Sequence, residues 1–127
     1  MPLPSWLARL NRRATNRVLG PPAARLPFFG VILHRGRSSG RLYRTPVNVF
    51  RTNDGFIVAL TYGRTEWLRN VLAAEGCELE HRGRRYRLIA PRVIGRAEAG
   101  RAIPSFVRFA LDLIGVDEFV HLNRVLD

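Results

Sequence analysis

Apolar residues recur along this chain with two periods, and the switch between them marks out the elements. Over Trp6 to Leu19 the helical spacing of Trp6, Leu7, Leu10, Ala14, Val18 and Leu19, with Arg9, Arg12, Arg13 and Arg17 on the other side, predicts a basic amphipathic helix within residues 1–22. Pro21-Pro22 ends it. Pro27 leads into Phe28 to His34, whose Val31-Ile32-Leu33 centre favours a strand. Gly36-Arg37-Ser38-Ser39-Gly40 then reads as a turn, and Leu42 to Arg51 as a strand in which Pro46 implies an edge position or a bulge. Asn53-Asp54-Gly55 makes a hairpin turn into a strand from Phe56 to Tyr62.

After Gly63, Thr65 to Ala74 places Trp67, Leu68, Val71 and Leu72 on one helical face, with Thr65 as N-cap and Gly76 as the residue past the end. Glu78 to His81 and Arg85 to Ile89 flank Arg82-Gly83-Arg84 as a second hairpin, and Pro91 to Ile94 continues it or begins another strand. Pro104 to Ile114 and Asp117 to Val125 read as two short helices separated by Gly115. Central strands with helices at the ends predict an α+β fold, a small barrel, because closing the sheet removes its exposed edges. The 127 residues make one domain: a basic helix at 1–22, a barrel core at 28–94 and C-terminal helices at 104–125. A cofactor domain plus a separate substrate domain is excluded by length.

Charge changes the picture more than composition does. All 21 basic residues are Arg, so lysine Schiff bases, lysine general bases and a phosphate-loop lysine are absent. Met1 to Asn53 holds ten Arg and no acid, whereas the remainder holds eleven Arg and ten acids, so nearly all of the +11 net charge lies in the first segment. A GC-rich coding bias also produces Arg without Lys, but it does not place the excess. The placement calls for an anionic partner: nucleic acid, a membrane surface, or a phosphorylated or polycarboxylate cofactor.

The lone Cys77 excludes an internal disulfide and fits a buried thiol in a reducing compartment. The longest uncharged apolar stretch, Leu26 to Leu33, is far short of a membrane span, and Arg9, Arg12 and Arg13 interrupt any signal-peptide core. A cytoplasmic location is expected, with residues 6–19 suited to a lid, to packing on the barrel, or to peripheral contact with the inner membrane surface.

Between its glycines, the Gly36–Gly40 turn carries Arg37 and the hydroxyls of Ser38 and Ser39, which suits an anion or an ordinary solvated turn. The strand running through Gly63 into the helix at Thr65 is a second candidate anion site. His34, His81 and His121 are scattered without a second ligand at metal spacing, so no metal is expected and they read as surface or strand histidines. Hydrolase, Rossmann and P-loop signatures are absent, which leaves a bound organic cofactor to carry any chemistry.

The run HRGRSSGRLYRTPVNVF, then FIVALTYG, then TEWLRNVLAA resembles the deazaflavin-dependent nitroreductase family, small actinobacterial split-barrel proteins that bind coenzyme F420. The resemblance covers roughly Val31 to Leu88. It implies an oxidoreductase that passes a hydride from reduced deazaflavin to an electron-poor acceptor, quinone-like, enone or nitroaromatic. It further implies that Arg37, Ser38, Ser39 and Gly40 meet the phosphate and glutamate arm, with Arg35, Arg41 or Arg44 adding charge where Ser38 replaces the family's frequent Lys. Thr45, Pro46 and Val47 would lie along the ring, Leu60, Thr61, Tyr62 and Gly63 would offer backbone groups, and Trp67 and Asn70 would close the site. From the residues alone, Trp67 also reads as helix core and Asn70 as helix surface. Tyr62 and Tyr43 are the candidate proton donors. Two other readings stay open: a non-catalytic basic nucleic-acid-binding barrel, and a split barrel that holds FMN or haem.

Overall fold

The computed structural model describes residues 28–125, so the helix expected over Trp6 to Leu19 lies outside the described residues. The described chain runs β1 (Phe29–Arg35), β2 (Leu42–Arg51), β3 (Gly55–Ala59), α1 (Glu66–Ala74), β4 (Gly76–His81), β5 (Arg84–Gly95), α2 (Arg96–Ala99), a 3-10 turn (Gly100–Ala102), α3 (Ser105–Leu113) and β6 (Glu118–Arg124). The six strands pair antiparallel in the order β1-β2-β3-β6-β5-β4 and close, β4 returning to β1.

Period-two alternation decides what faces inward. Ile32, Val47, Val49, Phe56, Val58, Leu79, Leu88, Val120 and Leu122 form the interior cluster, joined by Trp67, Leu68 and Val71 of α1, which lies against β1 and β4. On the outer side, Phe50, Ile57, Ala59, Ile94 and Phe119 pack against Ala99, Ile103, Leu111 and Val116. β3 is therefore buried on both faces, and all five of its residues are inaccessible.

The C-terminal segment departs from expectation. Asp117 to Val125 is not a helix: β6 fills the gap between β3 and β5 and completes the barrel. Two unpaired strand edges outweigh the local propensity of a short segment, and Phe119, Val120 and Leu122 are buried from opposite faces of the new strand. Each such side chain contributes about 1.5–3 kcal/mol on burial. The Arg64–Glu118 ion pair (2.7 Å) is exposed to high-dielectric solvent and adds little by comparison.

Smaller differences have equally local causes. β3 ends at Ala59 rather than Tyr62, and Leu60 makes one more backbone bond, to the Glu118 carbonyl (3.1 Å), before the chain turns. The left-handed residue that ends α1 is Glu75 (φ 59°), not Gly76, which already opens β4. Pro46 sits where β2 pairs with β1 alone, since pairing with β3 starts at Val49, in keeping with the edge position its ring demands. The β4–β5 hairpin forms as expected, and β5 continues through Pro91 by way of a register shift between Ile89 and Arg92.

His81, at the end of β4, is buried and donates from Nδ1 to the Phe29 carbonyl (2.8 Å). Burial holds its pKa below the ordinary imidazole value; the Phe29 bond opposes this, and Arg82 and Arg51 reinforce it. The neutral ring thus stabilises the fold above the unfolded value of about 6.5, and that contribution is lost as pH falls through the lowered value. Between about pH 7 and about pH 5, thermal unfolding should show a smaller loss of stability for His81→Gln than for wild type. At Gly55, a Cβ would run into the Leu122 carbonyl across the β3–β6 ladder. Gly55→Ala should cost about 1–3 kcal/mol in urea unfolding, the range for overpacking.

Candidate cofactor site

The barrel interior opens at the ends of β1 and β2, and there the inward faces turn polar. On β1 the residue two beyond Ile32 is His34; on β2, Tyr43 and Thr45 precede the inward Val47. The β1–β2 register sets His34 opposite Tyr43 and Thr45 opposite Ile32. The intervening turn is tied by bonds from the Gly36 N–H to the Arg41 carbonyl and from the Gly40 N–H to the Gly36 carbonyl (both 2.8 Å). Gly40 has φ 72°, a conformation that side chains resist. The Ser39 hydroxyl oxygen accepts the Arg41 N–H (3.2 Å), so its own hydrogen remains to donate.

The turn docks on α1. Asn70 Oδ1 accepts both the Arg37 backbone N–H (3.1 Å) and the Arg37 guanidinium Nη1 (2.8 Å), and the same Nη1 reaches Glu66 Oε2 (2.7 Å). The other side of the Asn70 amide meets His34 Nδ1 (3.1 Å), while His34 Nε2 meets Thr45 Oγ1 (2.9 Å) and its ring stacks on Tyr43 (centroids 5.6 Å apart). Asn70 and His34 are both buried on the inward faces of α1 and β1, so the helix-surface reading of Asn70 does not hold, while His34 lies on a strand as expected.

Around this network lies a cavity of about 520 Å³, lined by His34, Gly36, Arg37, Ser38, Ser39, Tyr43, Arg44, Thr45, Glu66, Trp67 and Asn70. It gathers most of the predicted arm-binding residues together with Thr45, Trp67 and Asn70. Gly40, Pro46, Val47, Leu60, Thr61, Tyr62 and Gly63 are not among its lining residues. Val47 and Leu60 point into the core, and the Leu60 N–H and carbonyl are both taken up, by Glu118 and by the Gly63 N–H. Sequence reading passed over His34 and Glu66. The signal for His34 was its place two residues beyond Ile32 on an inward-facing strand; Glu66 carried no signal beyond its position in the first turn of α1.

Charge at the site is partly neutralised within the protein. Arg37 and Arg69 hold the Glu66 carboxyl below the usual carboxylate range, and Arg44 (2.6 Å) and Arg85 (2.7 Å) do the same to Glu80. An arriving anion must share or displace these carboxylates. The donor set nevertheless fits a molecule with a flat ring and an extended anionic arm: two guanidinium groups, four hydroxyls and the first turn of a helix, with the rings of Trp67 and Tyr43 on its wall. At that helix start, the Thr65 hydroxyl oxygen is buried without a partner; Thr65 takes the N-cap position but makes no side-chain cap bond.

Shape comparison defines the class first. The heme storage protein HutZ of Vibrio cholerae shares the split-barrel fold at a TM-score of 0.51, over 86% of this chain and 89% of that one, with 11% identity. A comparison with curated proteins gives no match. The sequence matches the model of the F420H(2)-dependent quinone reductase family over residues 6–108, and the chain belongs to that family. It is thus an oxidoreductase that depends on reduced coenzyme F420 and acts on a small-molecule acceptor.

Asn70 ties three elements through one buried amide. Asn70→Ala should destabilise the protein by about 1–3 kcal/mol, the cost of leaving buried partners unsatisfied, as measured by denaturant unfolding.

Proposed function

We propose that this protein reduces a quinone-like acceptor with F420H2 bound in the cavity between the Gly36–Gly40 turn and α1. The observation that carries the reading is the convergence of Arg37, Ser38 and Ser39 with Trp67 and Asn70, about thirty positions later, on one cavity whose floor is the end of the barrel interior. Enone and nitroaromatic acceptors share the electron-poor character this chemistry requires; the family's description favours a quinone.

Arg37 and Arg44, with the Ser38 and Ser39 hydroxyls, would hold the phosphate and glutamate arm, and Trp67 and Tyr43 would flank the ring along Thr45. When bound, the deazaflavin would supply the hydride. The protein's part is to exclude water with apolar walls, to orient the ring against the acceptor and to offset charge arriving on the acceptor. Of the two tyrosine candidates, Tyr43 lines the cavity and Tyr62 does not, so a proton delivered by the protein would come from the Tyr43 hydroxyl. Peripheral membrane contact, which suits a lipid-soluble quinone, was expected of residues 6–19, outside those described. Among the described residues no helix is long and apolar enough to cross a membrane.

Fluorescence titration with oxidised F420, set beside FMN, tests the assignment. Arg37→Ala should weaken F420 binding by about 1.5–3 kcal/mol, roughly ten- to a hundredfold, the range for hydrogen bonds to a charged group. Glu66→Gln, which leaves Arg37 in place and removes its internal carboxylate, should tighten binding. Unchanged affinity in both variants would show that the turn does not hold the arm.

A further inference from the structure

We propose that Asn70, His34 and Thr45 form a one-way hydrogen-bond chain that holds His34 in its Nε2–H form and aims the Thr45 hydroxyl hydrogen into the cavity, as a fixed donor to a carbonyl or unprotonated nitrogen of the deazaflavin ring. The ring contact rests on the cofactor reading above; the direction of the chain does not.

The direction follows from the donors at its head. A backbone N–H and a guanidinium can only donate, and both Arg37 groups address the same atom of the Asn70 amide, at 3.1 and 2.8 Å. That atom must be the oxygen. The amide nitrogen therefore faces His34 Nδ1 at 3.1 Å, and a donor on that side requires the Nδ1 lone pair. A neutral imidazole with Nδ1 unprotonated carries its hydrogen on Nε2, which lies 2.9 Å from Thr45 Oγ1. Thr45 accepts that hydrogen and so must place its own elsewhere. Thr45 lines the cavity, where that hydrogen can be directed. Reversing any link would set two donors against each other in a buried setting, since Asn70 and His34 are only 6% and 7% exposed. Stacking on Tyr43 at an interplanar angle of 22° holds the imidazole plane.

His34 and Asn70 are thus positioning residues, and Thr45 is the group that touches the cofactor. A donor at the ring favours electron density on its heteroatoms, one of the ways a protein tunes a bound cofactor.

Two measurements test the proposal. Long-range proton–nitrogen correlation spectra of histidine-labelled free protein, with His34 assigned by its loss in His34→Gln, should show Nε2 protonated and Nδ1 bare. In Asn70→Asp a carboxylate oxygen replaces the amide donor, and the His34 proton should move to Nδ1. An Nδ1–H ring or an imidazolium in the wild type at neutral pH, or no response to Asn70→Asp, would overturn the chain. In fluorescence titrations with oxidised F420, Thr45→Val should weaken binding by about two- to tenfold, the worth of one neutral hydrogen bond, and Thr45→Ser should restore it. Wild-type binding retained by Thr45→Val overturns the Thr45 donor alone. Wild-type protein that does not bind F420 overturns the cofactor assignment and the ring contact with it, and leaves the spectra to decide the chain.

Discussion

The pairing register of β1 is the constraint on which the site depends. β1 pairs with β2 along its whole length and with β4 from Val31↔Glu80 to Leu33↔Glu78, and its alternation sends Ile32 and His34 to the inside of the barrel. A slip of one residue would turn both away from the interior and bring Leu33 and the exposed, charged Arg35 into their places, which the interior cannot accommodate at Arg35. Because apolar packing specifies that register, it also specifies where the polar end of the strand meets Asn70 and Thr45. The hydrophobic core and the candidate site are successive positions on the same faces.

The polar network in turn ties the turn and helix to the barrel. Asn70 occupies the buried face of α1 beside Trp67 and Val71, where an apolar residue would pack at lower desolvation cost. It is tolerated because its amide is bonded on both sides, to Arg37 and to His34. The consequence is a cavity wall assembled from two parts of the chain that share no local structure. The same logic explains the pairing of Arg37 with Glu66 and of Arg44 with Glu80: a cluster of cations is stabilised by internal carboxylates that an anionic arm would compete with.

Much of this was legible in advance. The β2 span, the Gly36–Gly40 turn, the β4–β5 hairpin and the helix beginning after Thr65 follow from alternation, turn residues and helical spacing, all of which act within a few residues. The resemblance carried by HRGRSSGRLYRTPVNVF singled out Arg37, Ser38, Ser39, Arg44, Thr45, Trp67 and Asn70, and these residues line one cavity. Leu60 to Gly63 were assigned through the motif's order and, at Gly63, through the strand-to-helix junction, and they do not line it.

Local sequence determined which segments are extended, which turn, and where basic and hydroxyl groups concentrate. Tertiary structure alone decided that Glu118–Arg124 is a strand, because that depends on β3 and β5, distant in sequence, needing partners for their free N–H and carbonyl groups. It also decided that His34 and Asn70 are buried and face each other. Burial is a property of what lies opposite, and the thirty-six positions between them become hydrogen-bond contact only when α1 is laid against the end of a correctly registered β1.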